Sequence, residues 1–418
     1  MKVFKFGGAS VKDAQGVKNV LKVLQTIDSA EKLVVISAMG KTTNALEEVV
    51  EEYLQKGSFN DSLQPVREYH HQILLDLFGS KDHPIFSEVK ASFHELENFL
   101  EYNRSRKYDF VYDQVVIYGE LLSTRIVSSY LNFQGLQNEW LDARNCIRTD
   151  STYRDAQVQW DETQEQILKK VNRGKLSIVQ GFIGADSNNF SSTLGREGSD
   201  YTAGIFAYCL NADSVTIWKD VPGVLNADPR VFENPQLLDQ ISYEEAIELA
   251  FYGASVIHPK TLQPLQRKEI PLYVKSFLNP LQNGTAVRKG ESIQPRIPCF
   301  IVKKNQVLIS LSSLDFSFIM EKNISYIFSL FHEYQIKVDL IQNSAISFSV
   351  CVDNKFNNLE KLINELKATF RVTYNTGVSL FTIRHFDEAA IIELEKQKKI
   401  LLKQITRETV QIVAAGQS

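Results

Sequence analysis

The sequence has few cysteines and no long apolar segment. Its 418 residues include four widely spaced cysteines, Cys146, Cys209, Cys299 and Cys351. This spacing matches neither a metal site nor a disulfide framework, so we expect a reducing compartment. No apolar run is long enough to span a bilayer, and the chain opens directly into the strand-like run Val3–Phe6 instead of a signal peptide. These absences predict a cytoplasmic protein that has no membrane partner.

A large excess of charge of either sign is also missing. The chain has 46 Lys and Arg against 50 Asp and Glu, for a formal net charge of −4. A surface that binds nucleic acid would be basic, so we expect no nucleic-acid partner. Hydrophobic residues make up 44% and charged residues 23%, which is typical of globular proteins. The length predicts two or three domains.

Short apolar runs alternate with helical patterns through the first two thirds of the chain. Such alternation predicts βαβ units and an open, mostly parallel sheet between helix layers, an α/β fold. The segment from Ala45 to Glu101 has helical spacing only and is predicted to be a helical excursion, with His70 and His71 at its surface. The predicted strands are Val3–Phe6, Leu33–Ser37, Val115–Ile117, Ser177–Phe182, Val215–Trp218 and Pro271–Val274.

The pattern changes after Asn279, where prolines and glycines indicate a linker. Elements in the order β-α-β-β-α-β follow from about 307 to 375, which is the ferredoxin-like motif. A strand at Val378–Ile383, a helix at Glu388–Lys403 and a strand at Thr409–Ala414 then begin a second, shortened unit over about 376–418, which a strand near 299–303 helps to complete. We therefore predict domains at 1–290 and 296–418.

Three clusters of polar and glycine residues follow predicted strands. Lys5–Ser10 contains two glycines beside a lysine, which suits phosphate but is more often only a turn. Thr193–Asp200 places Arg196 before a helix N-terminus, where a carboxylate would be favoured. Ile217–Val224 ends a strand in a charged loop that leads to the Asp-Pro-Arg step at Arg230. A Walker loop is absent, and each cluster alone also fits a structural turn or a capped helix.

Together, these clusters resemble the amino-acid kinase family, and within it the aspartate kinases. Lys5–Ser10 is similar to the family's opening Lys-Phe-Gly-Gly-Thr-Ser, with Ala9 in place of threonine. The resemblance runs in order from about residue 2 to 290. The other matching segments are Ser37–Met39 with Thr43 and Asn44, Tyr118–Ser123, Gly181–Gly184, Thr193–Asp200, Trp218–Gly223 and Phe251–Pro259.

The resemblance implies ATP-dependent phosphorylation of the side-chain carboxylate of L-aspartate. By similarity, Lys5 would neutralise charge on the transferring phosphate and Asp200 would orient the reacting groups. Since the substrate carboxylate is already charged, no general base is expected. Arg196 with Ser199 would hold the α-carboxylate, and Glu120 the α-ammonium. The two residues expected to line the pocket are Thr43 and Phe182.

The resemblance also implies a site for ATP with Mg²⁺. The residues expected to bind nucleotide are Lys5, Gly7, Gly8, Ser10, Lys219, Asp220 and Arg230. Magnesium is expected mainly on phosphate oxygens and water, so no protein ligand is assigned. Some positions depart from the family pattern: Glu197 replaces a common glycine, Leu225 a tyrosine and Ser255 a lysine, which predicts weaker nucleotide binding unless Lys260 compensates. His258, before a proline at a helix start, is expected to be structural.

Other functions remain open at this point. The first is a related kinase that acts on glutamate, acetylglutamate, carbamate or UMP, and the second is a small-molecule sensor that kept the fold. The motifs that contain Glu120 and Asp200 favour aspartate, and the length leaves no room for a dehydrogenase domain.

The C-terminal region resembles the paired ACT-type regulatory units of the family. Its loop at Met320–Ser325 contains no glycine, so close approach of the backbone to an amino-acid effector is less favourable. We predict a homodimer formed through this region, with little response to lysine or threonine. The resemblance implies the first step of lysine, threonine and methionine biosynthesis.

Overall fold

The structure is a computed structural model that describes residues 1–27, 31–254, 257–290, 292–315, 317–355, 357–396 and 398–415. The described residues form two compact units. The first comprises Met1–Val224, Leu237–Ile247 and 257–295, and the second comprises Leu225–Gln236, 248–254 and 296–415. Among the described residues, no helix is both long and apolar enough to cross a bilayer.

The first unit is built on a mixed but mostly parallel sheet. Eight strands of the described residues pair in the order β3-β4-β2-β1-β7-β9-β10-β8, and only the β9–β10 pair is antiparallel. They are β1 Lys2–Phe6, β2 Lys32–Ile36, β3 Asn138–Leu141, β4 Leu176–Gln180, β7 Ser214–Lys219, β8 Gln240–Ser242, β9 Leu272–Ser276 and β10 Thr285–Arg288. A separate hairpin consists of β5 Ile183–Ala185 and β6 Ser191–Thr193.

Helices cover both faces of this sheet. The helices of the first unit are α1 Ala14–Thr26, α2 Thr42–Lys56, α3 Asn60–Phe78, α4 Ile85–Tyr102, α5 Tyr108–Phe133, α6 Trp160–Lys170, α7 Gly198–Leu210, α8 Tyr243–Tyr252, which ends in the second unit, and α9 Pro259–Arg267. Helices α1 to α5 share one core with Phe4, Phe6, Val34 and Ile36 of the central strands. Helix α7 packs on β1, β2 and β7. The central strands are buried on both faces, as expected for parallel strands whose sequence is a continuous apolar run.

The predicted α/β class is confirmed, but one predicted strand is wrong. Val115–Ile117 lies in the middle of α5, which is buried around most of its circumference. The excursion from Ala45 to Glu101 is helical as predicted, in α2, α3 and α4. His71 is exposed, whereas the prediction for His70 is wrong. The His70 ring is fully buried with Nδ1 2.7 Å from the Val66 carbonyl oxygen, and burial lowers its pKa to about 4.

The second unit contains an antiparallel sheet with helices. Its described residues give six strands in the order β12-β13-β11-β14-β16-β15. The strands are β11 Cys299–Ser313, β12 Lys337–Asn343, β13 Ser347–Asp353, β14 Phe370–Arg384, β15 Ile400–Ile405 and β16 Thr409–Ala414. The helices are α10 Glu321–Glu333, α11 Leu359–Lys367 and α12 Glu388–Glu395. The order of elements fits two ferredoxin-like units that share the long strands β11 and β14.

Two predictions for this unit need correction. The helix predicted over Glu388–Lys403 ends at Glu395, and β15 follows and pairs with β16. The second ferredoxin-like unit therefore has one strand, β15, that the sequence analysis did not predict, while its described residues contain one helix where the first contains two. Met320–Ser325 is not an open loop, because α10 begins at Glu321 and the Asn323 side chain accepts a hydrogen bond from the Met320 N–H at 3.1 Å.

Candidate active site

The carboxyl ends of β2, β1 and β7 lie side by side, and a cavity opens there. Ligands of open α/β sheets bind at this edge. The turn after β1 packs backbone to backbone on the turn after β2, with the Gly40 N–H donating to the Gly8 carbonyl at 3.1 Å. A Cβ on residue 8 would lie 2.8 Å from the carbonyl oxygens of Ala38 and Gly40, so glycine is required there.

The cavity has a volume of about 530 Å³. It brings together most of the residues that the sequence singled out, although they come from six separate segments of the chain. The predicted site residues that line it are Lys5, Gly8, Thr43, Glu120, Phe182, Arg196, Ser199, Asp200 and Lys219.

An ion pair lies in this cavity. Lys5 comes from β1 and Asp200 from the first turn of α7, and the distance from Lys5 Nζ to Asp200 Oδ1 is 2.6 Å. The lysine side chain is only 11% exposed and the aspartate side chain 5%, so water screens the pair weakly. The N-terminus of α7 further favours a negative charge at position 200. The ammonium group of Lys5 is therefore held at a fixed point in the cavity.

Glu120 supplies a second carboxyl group, from α5. It is 3% exposed, and its Oε1 accepts a hydrogen bond from the Ala38 N–H at 3.2 Å. Its Oε2 is buried and has no hydrogen-bond partner. Burial raises the pKa of Glu120 to about 8, against the opposing effects of the Ala38 N–H and of Lys5. A cation that enters the cavity would give Oε2 a partner and would favour the ionised form of this carboxyl group.

The loop before α7 places Arg196 at the cavity rim. Arg196 is exposed, and the next residue, Glu197, has a left-handed backbone with φ of 54°. That conformation explains why glycine suits this position, and Glu197 adopts it at a cost of roughly 1 kcal/mol. The loop packs closely on Phe182, because a Cβ on Gly198 would lie 2.6 Å from the Phe182 ring.

Four predicted nucleotide-binding residues do not line this cavity. Gly7 lies in the turn after β1, just before the residues that line the cavity. Ser10 is buried, and its hydroxyl lies 3.5 Å from the Trp218 carbonyl oxygen. Asp220 is exposed after β7. Arg230 belongs to the second unit, where its guanidinium lies 2.7 Å from the carboxylate of Asp228.

Three cavity residues were missed by the sequence analysis: Gly40 in the turn after β2, Tyr112 and Arg154. Tyr112 lies two helical turns before Glu120 on α5, and this spacing is a usable signal once α5 is recognised as one helix. Arg154 belongs to the loop between β3 and α6, and its guanidinium carbon lies 4.4 Å from the centre of the Tyr112 ring. No local pattern indicates Arg154.

The start of α9 contains two further residues from the sequence analysis, His258 and Lys260. His258 is structural as predicted: it is the N-cap of α9, and its Nδ1 accepts a hydrogen bond from the Lys260 N–H at 3.2 Å. The Lys260 ammonium forms an ion pair with Asp155. Ser255 lies outside the described residues.

The described residues contain no group of three or more His, Cys, Asp or Glu side chains that could hold a metal ion. The acidic residues at the cavity are already placed otherwise, since Asp200 pairs with Lys5 and Glu120 is bonded to the Ala38 N–H. This arrangement fits a magnesium ion that arrives on a nucleotide and keeps phosphate and water ligands.

Comparisons with known proteins agree with the geometry. Residues 1–276 match the model of the amino acid kinase family. Lysine-sensitive aspartokinase 3 of Escherichia coli strain K12 is 32% identical over 396 residues, which cover 91% of this chain and 86% of that protein.

Solved structures of Escherichia coli aspartokinase III have the same fold over all of this chain. The complex with lysine and aspartate, a T-state, aligns with a TM-score of 0.83 at 29% identity and covers 100% of this chain and 96% of that one. The complex with aspartate and ADP, an R-state, gives 0.82 at 28% identity with the same coverage. The chain therefore belongs to the amino acid kinase family, in which these aspartokinases are its relatives.

Proposed function

We propose that the protein transfers the γ-phosphoryl group of ATP to the side-chain carboxylate of L-aspartate, giving 4-phospho-L-aspartate. The observation that carries the proposal is the Lys5–Asp200 ion pair in one cavity with Glu120 and Arg196. The relatives named aspartokinase favour this reaction over one on glutamate, acetylglutamate or a nucleotide, and the intact charged residues argue against a sensor without activity.

In this proposal, the charged residues divide between the two ends of aspartate. Arg196 binds the α-carboxylate with two parallel hydrogen bonds, and Ser199 lies beside this carboxylate. Glu120 accepts hydrogen bonds from the α-ammonium. Thr43 and Phe182 line the pocket around the carbon chain. This arrangement turns the side-chain carboxylate towards Lys5 and leaves it charged and ready to attack.

Lys5 then stabilises the transferring group. Phosphoryl transfer depends mainly on positioning and on charge stabilisation, because the transition state spreads negative charge over the phosphoryl oxygens. Asp200 keeps the Lys5 ammonium in place before the substrates arrive, so little reorganisation is needed during the reaction. No proton has to leave the attacking carboxylate, so Asp200 acts as an orienting residue and not as a base.

The nucleotide enters over the glycine turn after β1. Gly7 and Gly8 would offer backbone N–H groups to the phosphates, and Lys219 would add a positive charge. Ser10, Asp220 and Arg230 are the remaining residues proposed to bind nucleotide. Mg²⁺, bound mainly by phosphate oxygens and water, would neutralise part of the phosphate charge.

The setting of the enzyme is part of the same proposal. We place the reaction in the cytoplasm, at the first step of lysine, threonine and methionine biosynthesis. The domain division is proposed at 1–290 and 296–418, and the second domain is proposed to consist of ACT-type units that join two copies of the chain. Weaker nucleotide binding, from Leu225 and Ser255, remains a prediction.

Hydroxylamine trapping tests the reaction. Purified protein with MgATP, L-aspartate and hydroxylamine should give a coloured hydroxamate, since an acyl phosphate reacts with this nucleophile. Parallel reactions with L-glutamate and N-acetylglutamate are the controls. Product from one of those acids but not from aspartate would reassign the substrate, and no product from any acid would favour the sensor.

A further inference from the structure

A buried carboxylate outside the reaction described above connects the two loops that carry the arginines of the cavity rim. Asp113 lies on α5 between Tyr112 and Gln114, and its side chain is fully buried. Its Oδ2 accepts a hydrogen bond from the Thr193 N–H at 2.8 Å, and its Oδ1 accepts one from the Thr193 hydroxyl at 2.7 Å. Both oxygens also lie 3.1 Å from the backbone nitrogen of Arg154.

These donors come from the two loops at the rim. Thr193 is the last residue of β6, three residues before Arg196, and Arg154 belongs to the other loop. The loops also touch each other, because the Ala156 N–H donates to the Thr193 carbonyl at 2.9 Å. Asp113 therefore holds the backbone on both sides of the rim at one point.

The conformation of Arg154 agrees with such a constraint. Its φ is 66°, a left-handed value that costs a residue other than glycine roughly 1 kcal/mol or more and persists only where the surroundings fix it. The guanidinium lies over Tyr112 and 3.2 Å from the carboxylate of Glu47 on α2. Arg154 is thus fixed at both ends, by Asp113 at its backbone and by α2 and α5 at its side chain.

We propose that Asp113 is a positioning residue for the amino-acid substrate, which it serves by fixing the backbone of the loops that carry Arg154 and Arg196. The proposal rests on the function proposed above. Arg196 is proposed above to hold the α-carboxylate of aspartate, and Arg154 on the adjoining loop lines the same cavity. Freeing either loop would move a guanidinium away from the substrate while the nucleotide side, formed by the turn after β1, stays in place.

The protonation of Asp113 should make the affinity for aspartate depend on pH. Burial raises its pKa to about 6, although the hydrogen bonds from Thr193 and Arg154 and the charge of Arg154 oppose this shift. The other titratable groups that face it are Tyr112 and Tyr153, each with a pKa raised to about 12 by burial, so both are neutral near pH 6. Below about pH 6 a protonated Asp113 loses part of its capacity to accept, and the loops are expected to loosen.

The chain offers a matched control, Asp186, in the turn of the β5–β6 hairpin. It is 1% exposed and its Oδ1 accepts backbone N–H bonds from Asn188 and Phe190, each at 2.9 Å. Asp186 does not line the cavity. Asp186 reaches the Arg154 loop through the hydroxyls of Ser151 and Tyr153, which donate to its Oδ2 at 3.1 and 3.3 Å and could accept from an asparagine amide instead. Substituting either aspartate by asparagine removes a buried carboxylate that binds backbone amides, but of the two only Asp113 bonds the backbone of Arg154 and Thr193.

Asp113→Asn should raise KM for aspartate on the order of tenfold to a hundredfold, the scale for misplacing a binding group by about 1 Å. KM for ATP should change less than about twofold, and Asp186→Asn should change neither. In the wild type, affinity for aspartate should drop more steeply below about pH 6 than above it, and Asp113→Asn should lack this additional loss. A normal KM for aspartate in Asp113→Asn, or an equal rise in Asp186→Asn, would overturn the proposal.

Folding should survive, because the Gln114 side chain still bonds both the N–H and the carbonyl of Ser191 and keeps β6 on α5. If Asp113→Asn does not fold, Thr193→Val removes only the hydroxyl donor, and an unchanged KM for aspartate would then refute the role. Hydrogen exchange of segments 151–158 and 191–197 should be at least tenfold faster in Asp113→Asn. This readout needs no activity: unchanged exchange rejects the positioning role, whereas a wild type that forms no aspartyl hydroxamate rejects the proposed function.

Discussion

Glu120 should make the affinity for aspartate strongly dependent on pH near neutrality. The α-ammonium of the substrate needs an ionised carboxylate, but burial raises the pKa of Glu120 to about 8 in the unliganded protein. At pH 7 about one tenth of the molecules carry the charge. Apparent affinity scales with this fraction, so KM for aspartate should fall about tenfold for each pH unit below pH 7 and about fivefold from pH 7 to pH 8, and then level off.

The same residue should reduce the stability of the unliganded protein as the pH rises. A buried carboxyl with a raised pKa keeps its proton in the folded state and releases it on unfolding. Stability is therefore lost with increasing pH, from the ordinary value of 4.5 up to about 8. By pH 7 the loss is on the order of 3 kcal/mol, at about 1.4 kcal/mol for each pKa unit.

Glu120→Gln separates the two effects. The glutamine Oε1 can still accept the hydrogen bond from the Ala38 N–H, but the side chain cannot ionise. We expect the variant to bind aspartate poorly at all pH values and to gain thermal stability relative to the wild type between pH 5 and pH 8. The assays are KM for aspartate and Tm across this range, with KM for ATP as the control.

Two results would refute this reasoning. A KM for aspartate in the wild type that stays constant between pH 6.5 and 8 would mean that Glu120 is already ionised or does not meet the ammonium. A Tm difference between variant and wild type that does not grow with pH would mean that burial does not disfavour its charge.

The remaining predictions concern catalysis, substrate binding and regulation. Lys5→Ala should lower kcat on the order of 10²–10³ without unfolding the protein, and a near-normal kcat would remove Lys5 from the mechanism. Arg196→Lys should raise KM for aspartate and leave KM for ATP nearly unchanged, since a point charge does not replace a bidentate fork; equal effects on both would assign Arg196 to the phosphates. Lysine or threonine at physiological concentrations should change the activity little, and strong inhibition by either in the kinase assay would contradict this. Light scattering should give a dimer, and a monomer would exclude it.

The central strands could be predicted from the sequence because they are short, continuous apolar runs next to glycine-rich turns. The same signal failed at Val115–Ile117. Helix α5 is buried on nearly every side, so it lacks the polar stripe that marks a helix, and a short apolar stretch of it resembles a buried strand. That error hid the alignment of Tyr112 with Glu120 on one helix.

Two other features depended on contacts between distant segments. Helical spacing in Glu388–Lys403 continues past Glu395, but pairing of Ile400–Ile405 with β16 determines the strand there. Most of the predicted residues next to strands line one cavity, because parallel strands bring their ends together. Arg154 was not, because its place at the cavity depends on Asp113, 41 residues earlier in the chain.

The two longest strands of the second unit also constrain how that unit assembles. Strand β11 pairs with β14 along most of its length, from Cys299 opposite Arg384 to Ser313 opposite Phe370. The ladder thus extends through both ferredoxin-like halves, with register shifts between Lys303 and Leu308 where one half meets the other, and the same two strands join the halves. Native-state hydrogen exchange in the two halves should therefore follow a single opening event. The first residues of β11 pair with the end of β14, which lies some eighty residues later in the chain. The β11–β14 pairing can therefore be completed only after nearly all of the unit has been synthesised.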